Sequence, residues 1–234
     1  MTLPPTIVAM GGGGFSQQPE DPRLDDYVLA ATGVDRPRVC FLPTASSNVD
    51  RYLAIFYPAF AAKALASHLD LFVLDGRDLR AFLLAQDVIY VGGGNTANMV
   101  SIWRLHGVDR VLREAWERGV VLAGLSAGGL CWFEQGSTDS FGPGLAALDG
   151  LLGFLPGAFC PHYDGEAMRR PRLHELIASG SLGPTYACDD GAAVVFRGTD
   201  LQEAIAEREG ATAYRVERFG GTVRETALPT RLLP

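Results

Sequence analysis

Gly124-Leu125-Ser126-Ala127-Gly128 is a G-x-S-x-G sequence, set directly after an apolar run and directly before a helix-forming one. On such a turn a serine is thrown clear of the sheet on strained backbone, and its neighbours must be small to pass the adjacent chain. The chemistry this permits is acyl transfer, with Ser126 as nucleophile and the Ala127 amide as a donor to the oxyanion of a tetrahedral intermediate. The same five residues also suit an ordinary N-cap serine on a glycine-rich turn. A serine nucleophile needs a base, and the chain has four histidines. His68 and His106 fall at the ends of segments of helical period and His174 inside one, which suits surface or capping roles. His162 ends the short run Cys160-Pro161 outside any periodic helix and is the expected base. For the carboxylate that fixes its tautomer, the candidates are Asp189 and Asp190, ahead of Gly191 at the end of another short strand. The resulting chain order is Ser, His, Asp, whereas α/β-hydrolases run Ser, Asp, His, so an ordinary esterase or lipase is disfavoured.

A second loop, Gly92-Gly93-Gly94-Asn95-Thr96, also precedes a helical segment. Neither it nor Gly11-Gly12-Gly13-Gly14 leads into Gly-Lys-Ser/Thr or completes G-x-G-x-x-G with its downstream acid, so nucleotide binding is weakly supported. As a second oxyanion donor or a clamp on a substrate backbone, the loop from Gly92 to Asn95 makes better use of its exposed amides.

The elements that must hold these residues read as α/β. Short β-branched runs at residues 6–10, 39–42, 71–74, 88–91 and 120–124 alternate with helical segments, the pattern of a mainly parallel sheet with helices on both faces. Residues 50–68 predict one helix and residues 165–178 another, with a loose Gly/Pro/Ser-rich stretch over 136–157. Four short strands in the last fifty or so residues, 186–188, 192–196, 211–216 and 222–226, predict an antiparallel C-terminal extension of the same sheet. The whole of 1–234 is expected to be a single domain. In an open parallel sheet ligands bind at the carboxyl ends of the strands, so every loop named above is expected on one edge.

Composition narrows the function classes. Twenty Lys plus Arg against twenty-seven Asp plus Glu leave a net charge of −7, which argues against nucleic acid or an anionic membrane as partner. Lys63 is the only lysine, so Walker-lysine, Schiff-base and Ser-Lys mechanisms have almost nothing to build on. Apolar stretches are too short for a membrane span, and no basic region precedes the first apolar run, so a cytoplasmic protein is expected. Cys40, Cys131, Cys160 and Cys188 are widely spaced without a C-x-x-C pair and are expected to be reduced and buried, neither a disulfide frame nor a zinc site.

Taken together, the glycine loop after the first strand, Val91 to Thr96, the Ser126 turn, Pro161-His162-Tyr163 and Asp189-Asp190-Gly191-Ala192 resemble peptidase family S51, the peptidase E (α-aspartyl dipeptidase) and cyanophycinase group. The resemblance implies a class I glutamine amidotransferase-like (flavodoxin-like) fold and a Ser-His-acid triad of Ser126, His162 and Asp190, with Asp189 the alternative acid. It also implies an oxyanion region at Gly93 or Gly94 with Ala127, and needs no metal or organic cofactor. Dipeptidase members cleave peptides with N-terminal aspartate, and the segment carrying Arg169, Arg170 and Arg172 resembles the family's arginine-bearing one; a planar guanidinium pairs bidentately with a carboxylate. The expected partner is thus a small acidic peptide, bound by a monomer or homodimer. Cyanophycinase-like action on a β-aspartyl-arginine polymer, or a non-catalytic amidotransferase-like binding protein, are the alternatives.

Overall fold

A computed structural model describes residues 4–234. Residues 1–3, within the segment expected to lack a leader's basic region, lie outside the described residues. In chain order the first elements are β1 (Thr6–Met10), α1 (Gly14–Gln17), α2 (Arg23–Ala30), β2 (Arg38–Leu42), α3 (Val49–Phe60), β3 (Leu65–His68), α4 (Leu79–Leu84), β4 (Val88–Val91), α5 (Thr96–His106), α6 (Val108–Glu117), β5 (Val121–Leu125) and α7 (Ala127–Leu130). There follow β6 (Phe133–Thr138), β7 (Ala146–Asp149), β8 (Leu155–Cys160), α8 (Arg169–Ala178), β9 (Thr185–Cys188), β10 (Ala192–Arg197), β11 (Asp200–Ala206), β12 (Ala213–Phe219), β13 (Thr222–Ala227) and β14 (Thr230–Leu232).

Among the described residues these strands form two sheets. The main one has eight strands in the order β14-β11-β10-β1-β5-β4-β2-β3, and the second has six in the order β13-β12-β9-β8-β6-β7. From β1 to β3 the main sheet is parallel throughout. Its buried strands alternate sides: Ile7, Ala9, Ile89, Val91 and Leu122 join one apolar cluster, while Val8, Met10, Val88, Tyr90 and Ala123 join the other. The second cluster is closed by α2 and α3 through Leu24, Val28, Phe56 and Phe60. At its centre Phe15 meets Phe41, Phe56, Phe60 and Tyr90 at ring-centroid distances of 5.3–5.6 Å. Truncating a ring so enclosed costs about 3–5 kcal/mol. On the opposite face α5 and α6 pack beside Phe133, Phe159 and Cys188 of the second sheet. The far side of that sheet buries Ala158, Cys160 and Val216 against Leu173, Leu176 and Ile177 of α8.

Four expectations are corrected. Residues 71–74 are not a strand: Phe72, Val73 and Leu74 are 66%, 75% and 52% exposed. The helix expected over 50–68 stops at Phe60, and Leu65–His68 instead pairs in parallel with β2, Val39 opposite Ala66. That places His68 in an edge strand. Leu-Ala-Ser-His has no β-branched residue, so pairing with a buried neighbour overrides local preference. The helix expected from residue 165 begins at Arg169. The last strands also do not all extend one sheet. β10 and β11 extend the main sheet antiparallel, whereas β9, β12 and β13 belong to the second, together with β8 and with β6 and β7, which overlap the stretch expected to be loose. Helices and sheets remain of the mixed α/β kind. All four cysteines are free and buried. Among the described residues no helix is long and apolar enough to cross a membrane.

Candidate active site

Ser126 leaves β5 with φ 56° and ψ −117° and caps α7, yet its side chain makes no capping hydrogen bond. This excludes the ordinary-cap reading and leaves the hydroxyl uncommitted. The turn exists because its glycines let backbone close on backbone: a Cβ at Gly124 would stand 2.4 Å from the Gly128 carbonyl oxygen, and one at Gly128 would stand 2.3 Å from that of Val91. The Ser126 amide is held by the Met10 carbonyl at 3.1 Å.

His162 follows β8 with φ 52°, and among the described residues it and Ser126 are the only non-glycine residues of positive φ. Such backbone costs about 1–3 kcal/mol per residue and persists only where its surroundings impose it. Here the His162 amide bonds the Gly11 carbonyl at 3.3 Å. Its Nδ1 lies 2.5 Å from Asp190 Oδ1. That hydrogen bond holds the Asp190 carboxyl below its ordinary value, against the opposing effect of burial. Asp190 is fixed in turn: its amide donates to Asp164 Oδ1 at 2.8 Å, and its carbonyl accepts from Arg208 Nε at 2.9 Å. Arg208 also pairs with Asp164. Asp189 faces elsewhere. It is buried, takes the Thr212 amide on Oδ2 at 3.0 Å, and is pushed up to about 6 by burial.

Ser126, His162, Ala127, Gly94, Asn95 and Arg169 line one cavity of about 360 Å3. No hydrogen bond joins Ser126 to His162 among the described residues; such contacts commonly tighten only when substrate binds. The amides of Gly94 and Ala127 have no acceptor there, whereas Gly93, from β4's loop, donates its amide to the Tyr52 hydroxyl at 3.0 Å. Gly93 therefore packs beneath Ser126, where a Cβ would come within 3.2 Å of the serine Cβ, and Gly94 presents the free donor. Asn95 caps α5, accepting from the Asn98 amide, and donates to the Ser140 carbonyl at 2.9 Å.

Of the three arginines only Arg169 reaches the cavity. It is 3% exposed and pairs with Glu166 through Nη2 at 2.9 Å and Nε at 3.2 Å. Arg170 lies over the Tyr163 and Tyr214 rings and pairs with Glu225 at 3.1 Å, and Arg172 binds Glu175 and the Leu145 carbonyl.

Sequence reasoning missed the seam beside the histidine. Gly12 bridges to Asp190 in parallel, and a Cβ on it would stand 2.1 Å from Asp190 Oδ1 and 3.0 Å from His162 Cε1. The run of four glycines after β1 was the available signal, since only backbone this bare can meet a carboxylate and an imidazole at once. Asp164, Arg208 and Tyr52 carried no signal of their own. Beneath the same run lie two buried carboxyls: Glu207, 0% exposed, accepts the Gly14 amide at 3.2 Å, and Asp25 accepts from the Tyr90 hydroxyl at 2.9 Å. Burial pushes both up to about 7. Among the described residues no group of three or more His, Cys, Asp or Glu is placed to hold a metal ion.

The family model for peptidase family S51 matches residues 7–204. An uncharacterized peptidase, YgaJ, of Bacillus subtilis (strain 168) is 50% identical over 228 residues, covering 97% of this chain and 98% of that one. A protein named peptidase E from Shewanella denitrificans is 27% identical over 181 residues, 73% of this chain and 75% of its own. In fold, the crystal structure of a peptidase from an acI-B1 Actinobacterium superposes with a TM-score of 0.68 at 14% identity, over 97% of this chain and 96% of that one.

Proposed function

Because this chain belongs to peptidase family S51, we propose that it is a serine peptidase hydrolysing small peptides with an N-terminal aspartate, working in the cytoplasm on a class I glutamine amidotransferase-like scaffold. The observation that carries this reading is the pair of strained residues, Ser126 and His162, opening on one cavity with Asp190 fastened to the histidine.

Ser126 Oγ attacks the scissile carbonyl carbon while His162 Nε2 takes the hydroxyl proton. Asp190, on Nδ1, selects the tautomer that leaves Nε2 free to accept and supports the imidazolium once it forms. Negative charge gathers on the former carbonyl oxygen, to which the uncommitted amides of Gly94 and Ala127 donate. Collapse of the intermediate breaks the C–N bond, and His162 returns the proton to the leaving amine. A water molecule, deprotonated by the same histidine, then hydrolyses the acyl-enzyme and regenerates Ser126. Arg169 supplies the cation for the substrate's side-chain carboxylate. The overall field of the acidic protein does not help there, so a local, buried guanidinium must.

The test is hydrolysis of X-Leu dipeptides, X being Asp, Glu, Asn, Ala or Arg, alongside the β-aspartyl-arginine polymer. Aspartyl dipeptides are expected to be cleaved best, with Ser126→Ala losing about 10⁴-fold or more in kcat at unchanged Tm. Faster cleavage of the polymer moves the reading to cyanophycinase-like action. A folded wild type that cleaves none of them makes it a binding protein.

A further inference from the structure

The loop after β4 runs Gly92-Gly93-Gly94-Asn95, and all but one of these amides are tied to the segment from β2 to α3. Gly92 donates to the Leu42 carbonyl at 3.1 Å, Gly93 to the Tyr52 hydroxyl at 3.0 Å and Asn95 to the Ala45 carbonyl at 2.9 Å. Gly94, on the wall of the cavity with Ser126, keeps the free amide. That N–H belongs to the peptide unit between Gly93 and Gly94, so its direction is set by the ψ of one glycine and the φ of the next. Glycine restricts these angles least of all residues, and Gly94 stands at φ 137°. The donor therefore depends on the bonds to either side of it. Downstream the bond goes to a main-chain carbonyl. Upstream it goes to a side chain, the one point in the series where a substitution can remove it.

Tyr52 is firmly placed for this. It sits in the first turn of α3, and its ring meets Phe41 edge-on at a centroid distance of 5.0 Å and Phe15 at 5.8 Å. A Cβ at Gly92 would stand 2.9 Å from Tyr52 Cε1, so the loop runs against the ring. Burial pushes the hydroxyl above its ordinary value, and it keeps a proton to donate to Ser16 Oγ at 3.2 Å while accepting from Gly93. Ser16 lies on α1, directly after the glycine run whose Gly12 touches His162 and Asp190. The phenol thus ties the Gly94 loop to the turn beside the histidine.

We infer that Tyr52 is a positioning residue: by taking the Gly93 amide, it aims the Gly94 amide at the oxyanion that forms when Ser126 attacks. This rests on the peptidase reading above. An oxyanion donor acts only at hydrogen-bond distance from the place where charge develops, and a displacement near 1 Å costs about 100-fold in rate. Because the amide meets a full negative charge only after attack, the loss falls on the transition state and not on substrate binding.

The test compares wild type with Tyr52→Phe, which removes one oxygen, and with Tyr57→Phe, the same change on the same helix, where the hydroxyl meets His68 Nδ1 at 2.7 Å. Each is assayed for kcat and KM on the X-Leu dipeptide that wild type cleaves fastest. Each is also inhibited with the α-aldehyde of that X, whose carbonyl oxygen takes the oxyanion's place once Ser126 adds to it, and with the corresponding alcohol, to which no serine can add. Tyr52→Phe is expected to lower kcat about 30-fold and to raise the aldehyde's Ki by a similar factor. KM and the alcohol's Ki should stay within about twofold, and Tm should fall by a few degrees because the Gly93 amide loses its acceptor. Tyr57→Phe should keep wild-type kinetics. An unchanged kcat in Tyr52→Phe, a loss carried equally by KM and the alcohol's Ki, or an equal loss in Tyr57→Phe overturns the role given to Tyr52. A folded wild type that cleaves no X-Leu dipeptide overturns the peptidase reading itself, and Tyr52 with it.

Discussion

The main sheet meets the cavity largely with backbone, the second sheet with side chains. From β5 and β4 come Ser126 and the free amides of Gly94 and Ala127; from the ends of β8 and β9 come His162 and Asp190, with Arg169 on the helix packed against that sheet. Backbone can donate only where chains run close, so the main-sheet half is built from glycines. In the proposed reaction the other half supplies charge and proton transfer, which require side chains. The halves join where Gly12, at the end of β1, touches both Asp190 and His162.

The comparison breaks most sharply at the acid. Asp190→Asn is expected to lower kcat about 10³- to 10⁴-fold with little change in KM, because the amide can hold the wrong imidazole tautomer. Asp189→Asn, beside it but turned to Thr212, should stay within about threefold. Steady-state kinetics of the two variants decides between them, and equal losses would dissolve the assignment of the acid.

The seam comes next. Gly12→Ala forces Asp190 or the β1 loop to move, and a misplacement near 1 Å costs about 100-fold in rate. Overpacking adds about 1–3 kcal/mol of destabilisation. Activity and Tm should therefore fall together; a variant with full activity would show that the sheets are not coupled here.

Smallest is a difference in pH response. Glu207 and Asp25, on the main-sheet side, have their carboxyls raised to about 7 by burial. Between their ordinary values and about 7 the folded chain keeps protons that the unfolded chain releases. Stability is therefore greatest below that window and declines as pH rises through it. Asp190 has the opposite sign, since its lowered value contributes stability that is present above the ordinary carboxylate range and lost as pH falls through the folded value. Tm is expected to drop by several degrees between about pH 5 and pH 7.5, and Glu207→Gln should flatten that slope. An equally steep slope in the variant would place the effect elsewhere.

The same division explains what could be read from residues alone. The Ser126 turn and the Gly92-Gly93-Gly94-Asn95 loop stand out because close backbone approach demands glycine locally, and the parallel strands around them are β-branched and regularly spaced. His162 and Asp190 could be picked out by type and position. Their meeting depends on β8 lying beside β9 in a second sheet, a long-range register that no local pattern encodes. Leu65–His68 misled because a sequence fit for helix is drawn into an edge strand, and Phe72, Val73 and Leu74 misled because apolar residues on a loop imitate a strand.

The central claim is that a nucleophile on one sheet is activated by a histidine on the other. Intact-mass labelling with a fluorophosphonate tests it directly in wild type, Ser126→Ala and His162→Ala, each first shown to be folded. One adduct is expected on wild type, mapped to Ser126, with none on Ser126→Ala and labelling slowed at least about 100-fold in His162→Ala. Labelling of His162→Ala at the wild-type rate, or an adduct on any residue other than Ser126, would contradict it.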